Sequence, residues 1–199
     1  MILKKFYEEN FSNATSAFKI LSHKKLNDKV LFLDRDGVLI EDVHHIDTPE
    51  KVSIRPKVIN FLKSAREKFY DLVIVTNQSS VSRSIITYEQ YKDITDKFLS
   101  FLTEDLYPDL ILSSFHLPNN ENNLENFNWR KPGTGMIDFA LKNKNYDKSK
   151  SAIVGDKLTD LISGYKSGLS NLIFVQSPLH KNESTLIKSW SQQKNISYI

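Results

Sequence analysis

From residue 29 onward, short apolar runs alternate with segments of helical periodicity, and this alternation constrains the fold more than any other feature. Each run spans five residues, as expected of buried strands. The runs lie at 29–33, 72–76, 109–113, 151–155 and 171–175. Strands that alternate with helices are joined by crossover connections. The sequence therefore predicts an α/β fold, a Rossmann-like parallel sheet with helices on both faces.

Helical segments fill the intervals between these runs. Apolar residues recur at helical spacing over 58–69, 133–144 and 158–167. Thr87 and Gln90 have the spacing of a capping box, which predicts that another helix begins there. Each predicted strand is thus followed by room for a crossover helix.

Two terminal segments lie outside this alternation. Residues 1–28 are an N-terminal extension in which apolar positions over 3–22 fall loosely on one face, predicting an amphipathic helix that packs on the domain. A partner-binding arm is the alternative. Residues 29–177 form the α/β domain, and 178–199 are predicted to be a C-terminal tail or helix.

The composition excludes several classes of protein. The 199 residues include no cysteine, so disulfides, thiolate nucleophiles and cysteine-bound zinc or iron–sulfur sites are excluded. The longest apolar runs are far shorter than the roughly 20 residues that span a bilayer. Lys4 and Lys5, followed by Glu8 and Glu9, stand where a signal peptide needs an apolar core. We expect a cytoplasmic protein with no membrane partner.

The charge distribution argues against a nucleic-acid partner. The formal net charge of +3 comes from residues 1–29, where six lysines face three acids. Residues 30–199 carry 21 basic and 21 acidic side chains. Nucleic-acid binders usually show a basic excess over the whole domain. We therefore expect a small-molecule partner.

Polar and charged residues follow four of the predicted strands. Ligands of parallel sheets bind beyond the carboxyl ends of the strands, so these residues are expected to converge there. The segments are 34–38, which reads Asp-Arg-Asp-Gly-Val, then 76–79, then 130–132 in the loop after the third strand, and 155–157 with Asp160 beyond it.

This set of side chains suits phosphoryl transfer. Clustered carboxylates need a hard cation such as Mg²⁺, while the cations and the hydroxyl suit a phosphoryl group. Asp34 can attack phosphorus as a nucleophile, and Asp36 can serve as general acid and then general base. Gly37 permits the turn that separates the two carboxylates.

Each motif taken alone has a simpler interpretation. Asp-x-Asp-Gly also occurs in Ca²⁺ loops and ordinary turns, and Thr76-Asn77 can cap a helix. Lys131-Pro132 can be a solvated charge before a helix, and Gly155-Asp156 a turn. Their joint occurrence, each beyond a predicted strand, favours a functional site.

These motifs together resemble the haloacid dehalogenase superfamily of phosphohydrolases. More narrowly, 34–37, 75–79, 130–132 and 154–157 are similar to the branch of heptose bisphosphate and histidinol phosphatases. The resemblance covers about 29–177 and implies the fold of that superfamily. Because each interval between motifs is filled by a helix and loops, we expect no cap domain.

The resemblance implies a role for each matching residue. Asp34 would be the nucleophile and a Mg²⁺ ligand, and Asp36 the acid/base whose carbonyl also binds the metal. Thr76 would bind the transferring phosphoryl group and Lys131 would neutralise it. Asp156 would complete the metal site. The residues expected to bind substrate are Asn77, Gln78, Arg83, Arg130 and Lys157, with a solvated loop arginine as the alternative for Arg83.

The sequence departs from this branch at two loops. Members often bind a structural zinc through cysteines and a histidine before the third motif, but this loop offers only His116, so we expect no structural zinc. Where the branch commonly has Gly-Tyr, this chain has His44-His45, and we expect Asp42 or His45 to contact the substrate. His180 is interpreted as an ordinary surface or loop residue.

The resulting hypothesis is a monomeric, Mg²⁺-dependent phosphomonoesterase that forms an aspartyl phosphate. The branch implies a small phosphorylated metabolite as substrate, namely the 7-phosphate of D-glycero-D-manno-heptose 1,7-bisphosphate. Histidinol phosphate or another small sugar phosphate is the alternative. Nucleic-acid 3′-phosphatases share the Asp-x-Asp-Gly loop and are a second alternative.

Overall fold

A computed structural model describes residues 16–20, 27–43, 45–118 and 128–199, with only the backbone described for 16–20. Its strands are β1 Ser16–Ile20, β2 Lys29–Leu33, β3 Tyr70–Asn77, β4 Leu110–Ser114, β5 Ala152–Gly155 and β6 Asn171–Phe174. They form one sheet in the order β1-β4-β3-β2-β5-β6. In this order, each pair of neighbouring strands from β4 through to β6 is parallel. The parallel sheet predicted from the sequence is confirmed.

The prediction of an N-terminal helix over 3–22 is wrong for residues 16–20. These residues form β1, which pairs antiparallel with β4 through the register Ser16↔Ser114 to Ile20↔Leu110. This pairing satisfies backbone groups of β4 that would be unpaired if β4 were the edge strand. The rest of the predicted helix lies outside the described residues.

Helices connect the parallel strands, as the periodicity predicts. They are α1 Val58–Glu67, α2 Ser79–Ser82, α3 Tyr88–Leu99, α4 Gly135–Lys144, α5 Leu158–Lys166 and α6 Glu183–Lys194, with 3₁₀ turns at Pro49–Lys51 and Glu104–Leu106. The capping box that begins α3 is confirmed, since Thr87 Oγ1 accepts from the Gln90 amide at 3.1 Å and Gln90 Oε1 accepts from the Thr87 amide at 2.8 Å. The C-terminal segment contains a helix, α6.

Two apolar layers cover the two faces of the sheet. Leu31 and Leu33 of β2 point to the layer formed with α1 and α3, whereas Val30 and Phe32 point to the layer formed with α4, α5 and α6. Alternate residues of a strand face opposite sides, so a strand buried on both faces must be apolar throughout. This explains the uninterrupted apolar runs.

The connections between the strands are compact. Among the described residues from β2 to β3 and from β3 to β4, no separate domain is inserted, so the expectation of a fold without a cap domain is confirmed. None of the helices in the described part of the chain has the length and apolar character needed to cross a bilayer.

Candidate active site

The sheet register brings the predicted motifs together at the carboxyl ends of the parallel strands. Leu33 pairs with Ile74 on one side and with Val154 on the other. The residues that follow these positions therefore emerge side by side at the carboxyl ends of three neighbouring strands. The Asp34 amide fixes the centre of the group by donating to the Val154 carbonyl at 3.0 Å.

A buried lysine forms ion pairs with two carboxylates at this end of the sheet. Lys131 Nζ lies 3.0 Å from Asp34 Oδ1 and 2.6 Å from Asp160 Oδ1. Burial would lower the pKa of Lys131, but the two carboxylates outweigh it and raise the pKa. Burial raises the pKa of Asp34 to about 6 against the opposing charge of Lys131. The ammonium group therefore remains charged beside the predicted nucleophile.

Asp36 is held as a carboxylate by donors from two elements. Gln78 Nε2 donates to Asp36 Oδ2 at 2.6 Å and to Thr76 Oγ1 at 2.8 Å. Arg35 Nε donates to the same Asp36 oxygen at 3.1 Å. Burial tends to raise the pKa of Asp36, yet the Arg35 charge and these hydrogen bonds lower it overall. Asp36 is thus available to accept a proton.

Asp156 is a buried carboxylate whose charge is not fully compensated by the described residues. It is fully buried, and neither carboxylate oxygen has a hydrogen-bond partner among the described residues. Burial, followed by the charge of Asp34, raises the pKa of Asp156 to about 8. Oxygen atoms of Asp34, Asp156 and Asp160 lie within 4.8 Å of one another. Such oxygens fit a divalent cation, which would offset their repulsion.

Gly37 makes room for this carboxylate. Its φ of +86° is a left-handed conformation that glycine adopts without steric cost. A Cβ at residue 37 would lie 2.1 Å from Asp156 Oδ2, far inside van der Waals contact. Both the turn and the close approach therefore require glycine at this position.

A cavity of about 510 Å³ opens directly above these groups. Asp34 and Asp36 lie in its wall, and three cations face them across the same space. The cavity is lined by Asp34, Asp36, Thr76, Asn77, Ser79, Pro118, Arg130, Lys131, Pro132, Lys157, Thr159 and Asp160. Its size and mixed charge suit a small anionic molecule rather than an apolar one.

Sequence comparison assigns the family. A model of the family described as "Polynucleotide kinase 3 phosphatase" matches residues 29–174, which is the whole α/β domain up to the end of β6. The chain belongs to this family of phosphatases, in the haloacid dehalogenase superfamily. The matched range contains every motif that lines the cavity.

Two curated relatives resemble this phosphatase along most of its length. The D-glycero-alpha-D-manno-heptose-1,7-bisphosphate 7-phosphatase of Photorhabdus laumondii is 32% identical over 170 residues, covering 83% of this chain and 91% of the relative. The histidine biosynthesis bifunctional protein HisB of Blochmanniella floridana is 31% identical, covering 85% of this chain but 47% of the relative. This phosphatase therefore spans about half the length of HisB.

A solved structure shares the fold. The D,D-heptose 1,7-bisphosphate phosphatase of B. bronchiseptica, complexed with magnesium and phosphate, has a TM-score of 0.69 at 24% sequence identity. The match covers 79% of this phosphatase and 86% of that chain. At this identity the likeness supports the architecture and leaves the chemistry to the residues of the site.

The residues predicted to bind substrate occupy different positions. Asn77, Arg130 and Lys157 line the cavity, and Arg130 Nη1 donates to the His116 carbonyl at 2.9 Å. Gln78 is turned towards Asp36 and Thr76 instead of the cavity. Arg83 is exposed and outside the lining.

The loop after β2, in which Asp42 or His45 was expected to contact the substrate, contributes neither residue to the cavity lining. The Asp42 carboxylate accepts from His180 Nε2 at 2.8 Å and is not part of the cavity lining. His45 is exposed and outside the lining, while His44 lies outside the described residues. His180 lies in a loop, as expected from the sequence, but it contacts Asp42, because the fold packs the loop after β6 against the loop after β2.

Three further contacts were missed. Arg35 orients Asp36, and Arg55 donates to the Gly37 carbonyl and, through Nη2 at 3.1 Å, to the Gln176 carbonyl. His116, in the loop after β4, is buried. The position of Arg35 inside the first motif offered a signal for its role, whereas Arg55 and His180 had none in the sequence. The absence of zinc stays a prediction, since 119–127 lie outside the described residues.

Proposed function

We propose that this phosphatase removes the 7-phosphate of D-glycero-D-manno-heptose 1,7-bisphosphate. The observation that carries the proposal is the ion pair of Asp34 with Lys131 beneath a cavity lined by two more cations, Arg130 and Lys157. The relative from Photorhabdus, which the chain matches over nearly its full length, bears that activity in its name.

Magnesium is the proposed metal. The unpartnered, buried oxygens of Asp156 and the nearby carboxylate of Asp34 are the donors that Mg²⁺ prefers, and the Asp36 carbonyl would complete the protein ligands. When bound, Mg²⁺ would offset the charge of these carboxylates and of the phosphoryl oxygens.

The proposed reaction uses two carboxylates in turn. Asp36, a carboxylate in the free protein, first takes up a proton from solvent. An oxygen of Asp34 attacks phosphorus, the bond from phosphorus to the sugar oxygen breaks, and Asp36 gives this proton to the leaving oxygen. Asp36 is then a carboxylate, the state that Arg35 and Gln78 stabilise. It accepts a proton from water as the water attacks phosphorus, which frees Asp34 and inorganic phosphate.

Two other groups would stabilise the transferring phosphoryl group. Thr76 Oγ1 lies in the cavity wall beside Asp36, where its hydroxyl can donate to an equatorial oxygen. Lys131 would neutralise the Asp34 carboxylate and the phosphoryl oxygens together, because its Nζ already contacts Asp34.

The charge of the cavity favours a substrate with two anionic groups. Lys131 Nζ contacts Asp34 and Asp160, and Arg130 and Lys157 add two further positive charges to the wall of the same cavity. Burial, then the charge of Arg83, lowers the pKa of Arg130, so a nearby anion would be favourable. A bisphosphate supplies a second phosphate for these cations, and a monophosphate with an ammonium group, such as histidinol phosphate, does not.

Histidinol phosphate and a 3′-phosphorylated nucleic acid remain the alternatives. HisB supports the former, and the description of the matched family supports the latter. The equal numbers of acidic and basic residues over 30–199 disfavour a nucleic acid.

A substrate panel tests the proposal. Phosphate release by the full chain in Mg²⁺ would be compared for both anomers of the heptose bisphosphate, histidinol phosphate, a simple phosphate ester and a 3′-phosphorylated oligonucleotide, with Asp34→Asn as the inactive control. We expect kcat/KM for one bisphosphate anomer to exceed the others by at least about tenfold. Equal rates for all esters, or preference for the oligonucleotide, would refute the substrate.

A further inference from the structure

The loop that follows β6 packs against the first motif, although none of its residues lines the cavity. It begins immediately beyond the residues matched by the family model, which end at 174. Arg55 links it to the first motif by binding the carbonyls of Gly37 and Gln176. Glu183, at the start of α6, accepts from the Leu158 amide at 2.7 Å. The loop is therefore fixed against both the first motif and the N-terminus of α5.

This anchoring places His180 beside Asp42. His180 Nε2 lies 2.8 Å from Asp42 Oδ2, and the Asp42 side chain is only 14% exposed. Because an ionised carboxylate can only accept, His180 is the donor. The bond ties residues that are 138 positions apart in the chain, so it fixes the loop after β2 to the loop after β6.

Asp42 in turn contacts a cation of the cavity. Lys157 Nζ lies 3.6 Å from the same oxygen, Asp42 Oδ2. Lys157 lines the cavity, whereas neither Asp42 nor His180 does. The order of contacts is thus His180 to Asp42, Asp42 to Lys157, and Lys157 to the cavity. A long lysine side chain has many rotamers, and a fixed carboxylate beside its ammonium group restricts them.

We propose that Asp42 and His180 are positioning residues that hold Lys157 over the cavity to receive the second anionic group of the substrate. This inference rests on the proposed function, because it assigns the pair to recognition of a bisphosphate. His180 orients the Asp42 carboxylate, Asp42 orients the ammonium group, and Lys157 alone contacts the ligand. Because neither Asp42 nor His180 lines the cavity, the pair acts on the distal anion through Lys157. His180 Nε2 also lies 4.0 Å from Asp156 Oδ2, so kcat is measured beside KM to separate an effect on the reacting centre.

The test compares His180→Ala with wild type on the heptose bisphosphate and on a simple phosphate ester that lacks the second phosphate. We expect KM for the bisphosphate to rise roughly tenfold while kcat stays the same, the range for a hydrogen bond to a charged group. Both parameters for the simple ester should be unchanged. His180→Gln, which keeps an amide donor near the position of Nε2, should restore KM in part.

A double variant, in which His180→Ala is combined with Lys157→Met, decides whether His180 acts through Lys157. In Lys157→Met, the His180→Ala change should produce no further rise in KM, because the group that it positions is absent. Leu179→Ala, an exposed neighbour in the same loop, serves as the matched control and should change neither parameter. Thermal unfolding of each variant verifies that it is folded.

Several outcomes would overturn the inference. An unchanged KM in His180→Ala, an equal loss for both substrates, or a further rise in the Lys157→Met background would each exclude a positioning role through Lys157. Failure of the proposed function is distinguishable, because wild type would then show no preference for the heptose bisphosphate over the other phosphate esters. In that case the dissociation constants of inorganic pyrophosphate and inorganic phosphate would be compared for wild type and His180→Ala. Weaker binding of pyrophosphate alone would support the positioning role, and any other pattern would exclude it.

Discussion

Asn77 and Lys131 exchange two hydrogen bonds, one in each direction. Asn77 Nδ2 donates to the Lys131 carbonyl at 3.0 Å, and the Lys131 amide donates to Asn77 Oδ1 at 3.1 Å. The Asn77 side-chain amide thus pairs with the backbone of Lys131 as a neighbouring strand would. It connects the end of β3 to the segment that carries the active-site lysine. The sequence predicted a substrate contact at Asn77, and the structure adds this link to the backbone.

Asn77→Ala is therefore expected to misplace Lys131. Loss of both bonds leaves a backbone donor and acceptor without partners, costing about 1–3 kcal/mol of unfolding free energy. Displacement of the ammonium group should lower kcat by about one to two orders of magnitude. Denaturant unfolding and phosphate release measure the two effects. Asn143→Ala, at an exposed position of α4, removes a single hydrogen bond from Asn143 Nδ2 to the Phe139 carbonyl and should leave kcat unchanged. A normal kcat in Asn77→Ala would contradict this role.

Gly37→Ala should abolish activity for a local steric reason. The added methyl group would lie 2.1 Å from Asp156 Oδ2, so the carboxylate must move. Gly168→Ala is a matched control, since Gly168 has a φ of +82° but its nearest neighbour would be Lys148 Cδ at 3.6 Å. Both variants should lose about 1–2 kcal/mol through backbone strain. Only Gly37→Ala should lose phosphate release, and equal activity in the two would contradict the crowded geometry.

Asp156→Asn should stabilise the metal-free protein while removing its response to magnesium. Burial, then Asp34, raises the pKa of Asp156 to about 8. A raised pKa in the folded state means that stability is lost as the pH rises between the ordinary value near 3.9 and the folded value. The advantage of the amide over the wild type should grow over that interval.

Thermal unfolding with EDTA and with Mg²⁺ measures this pair of effects. Wild type should gain stability on addition of Mg²⁺, and Asp156→Asn should not. Asp138→Asn, an exposed position on α4, serves as the control and should keep the Mg²⁺ response. If the metal still stabilised Asp156→Asn fully, Asp156 would not be a ligand.

The sequence predicted the positions of the motif residues but not all of their partners. Asp34 and Asp156 follow buried strands directly and Thr76 lies near the end of another, so the strand pattern was sufficient to bring them together. The contact of Asp42 with His180 joins residues 138 positions apart and depends on how the loop after β6 packs, which no local pattern encodes. The β1 strand was missed for the same reason, because its partner β4 is distant in sequence.

A second effect of pH on stability is expected at the opposite end of the sheet, where the parallel strands begin. Asp71 is buried there and accepts from Asn27 Nδ2 at 2.8 Å and from the Tyr146 hydroxyl at 2.9 Å. Burial, then the charge of Asp109, raises the pKa of Asp71. Its contribution to stability is therefore present below the ordinary pKa and is lost as the pH rises through the folded value.

Urea unfolding of Asp71→Asn at about pH 4 and about pH 7 checks the sign. The variant should gain stability relative to wild type as the pH rises. Asp28→Asn should show no such gain, because a hydrogen bond from Lys150 lowers the pKa of Asp28 and that carboxyl titrates mainly below about pH 4. Parallel behaviour of the two variants would exclude the account of Asp71.

The most direct test of the account is to trap the phosphorylated residue. Protein quenched during turnover of the heptose bisphosphate in Mg²⁺ would be reduced with borohydride, which converts an aspartyl phosphate to homoserine, and its peptides mapped by mass spectrometry. The account predicts homoserine at residue 34 alone, and none in Asp34→Asn. Rapid phosphate release with unmodified Asp34, or modification at another aspartate, would contradict it.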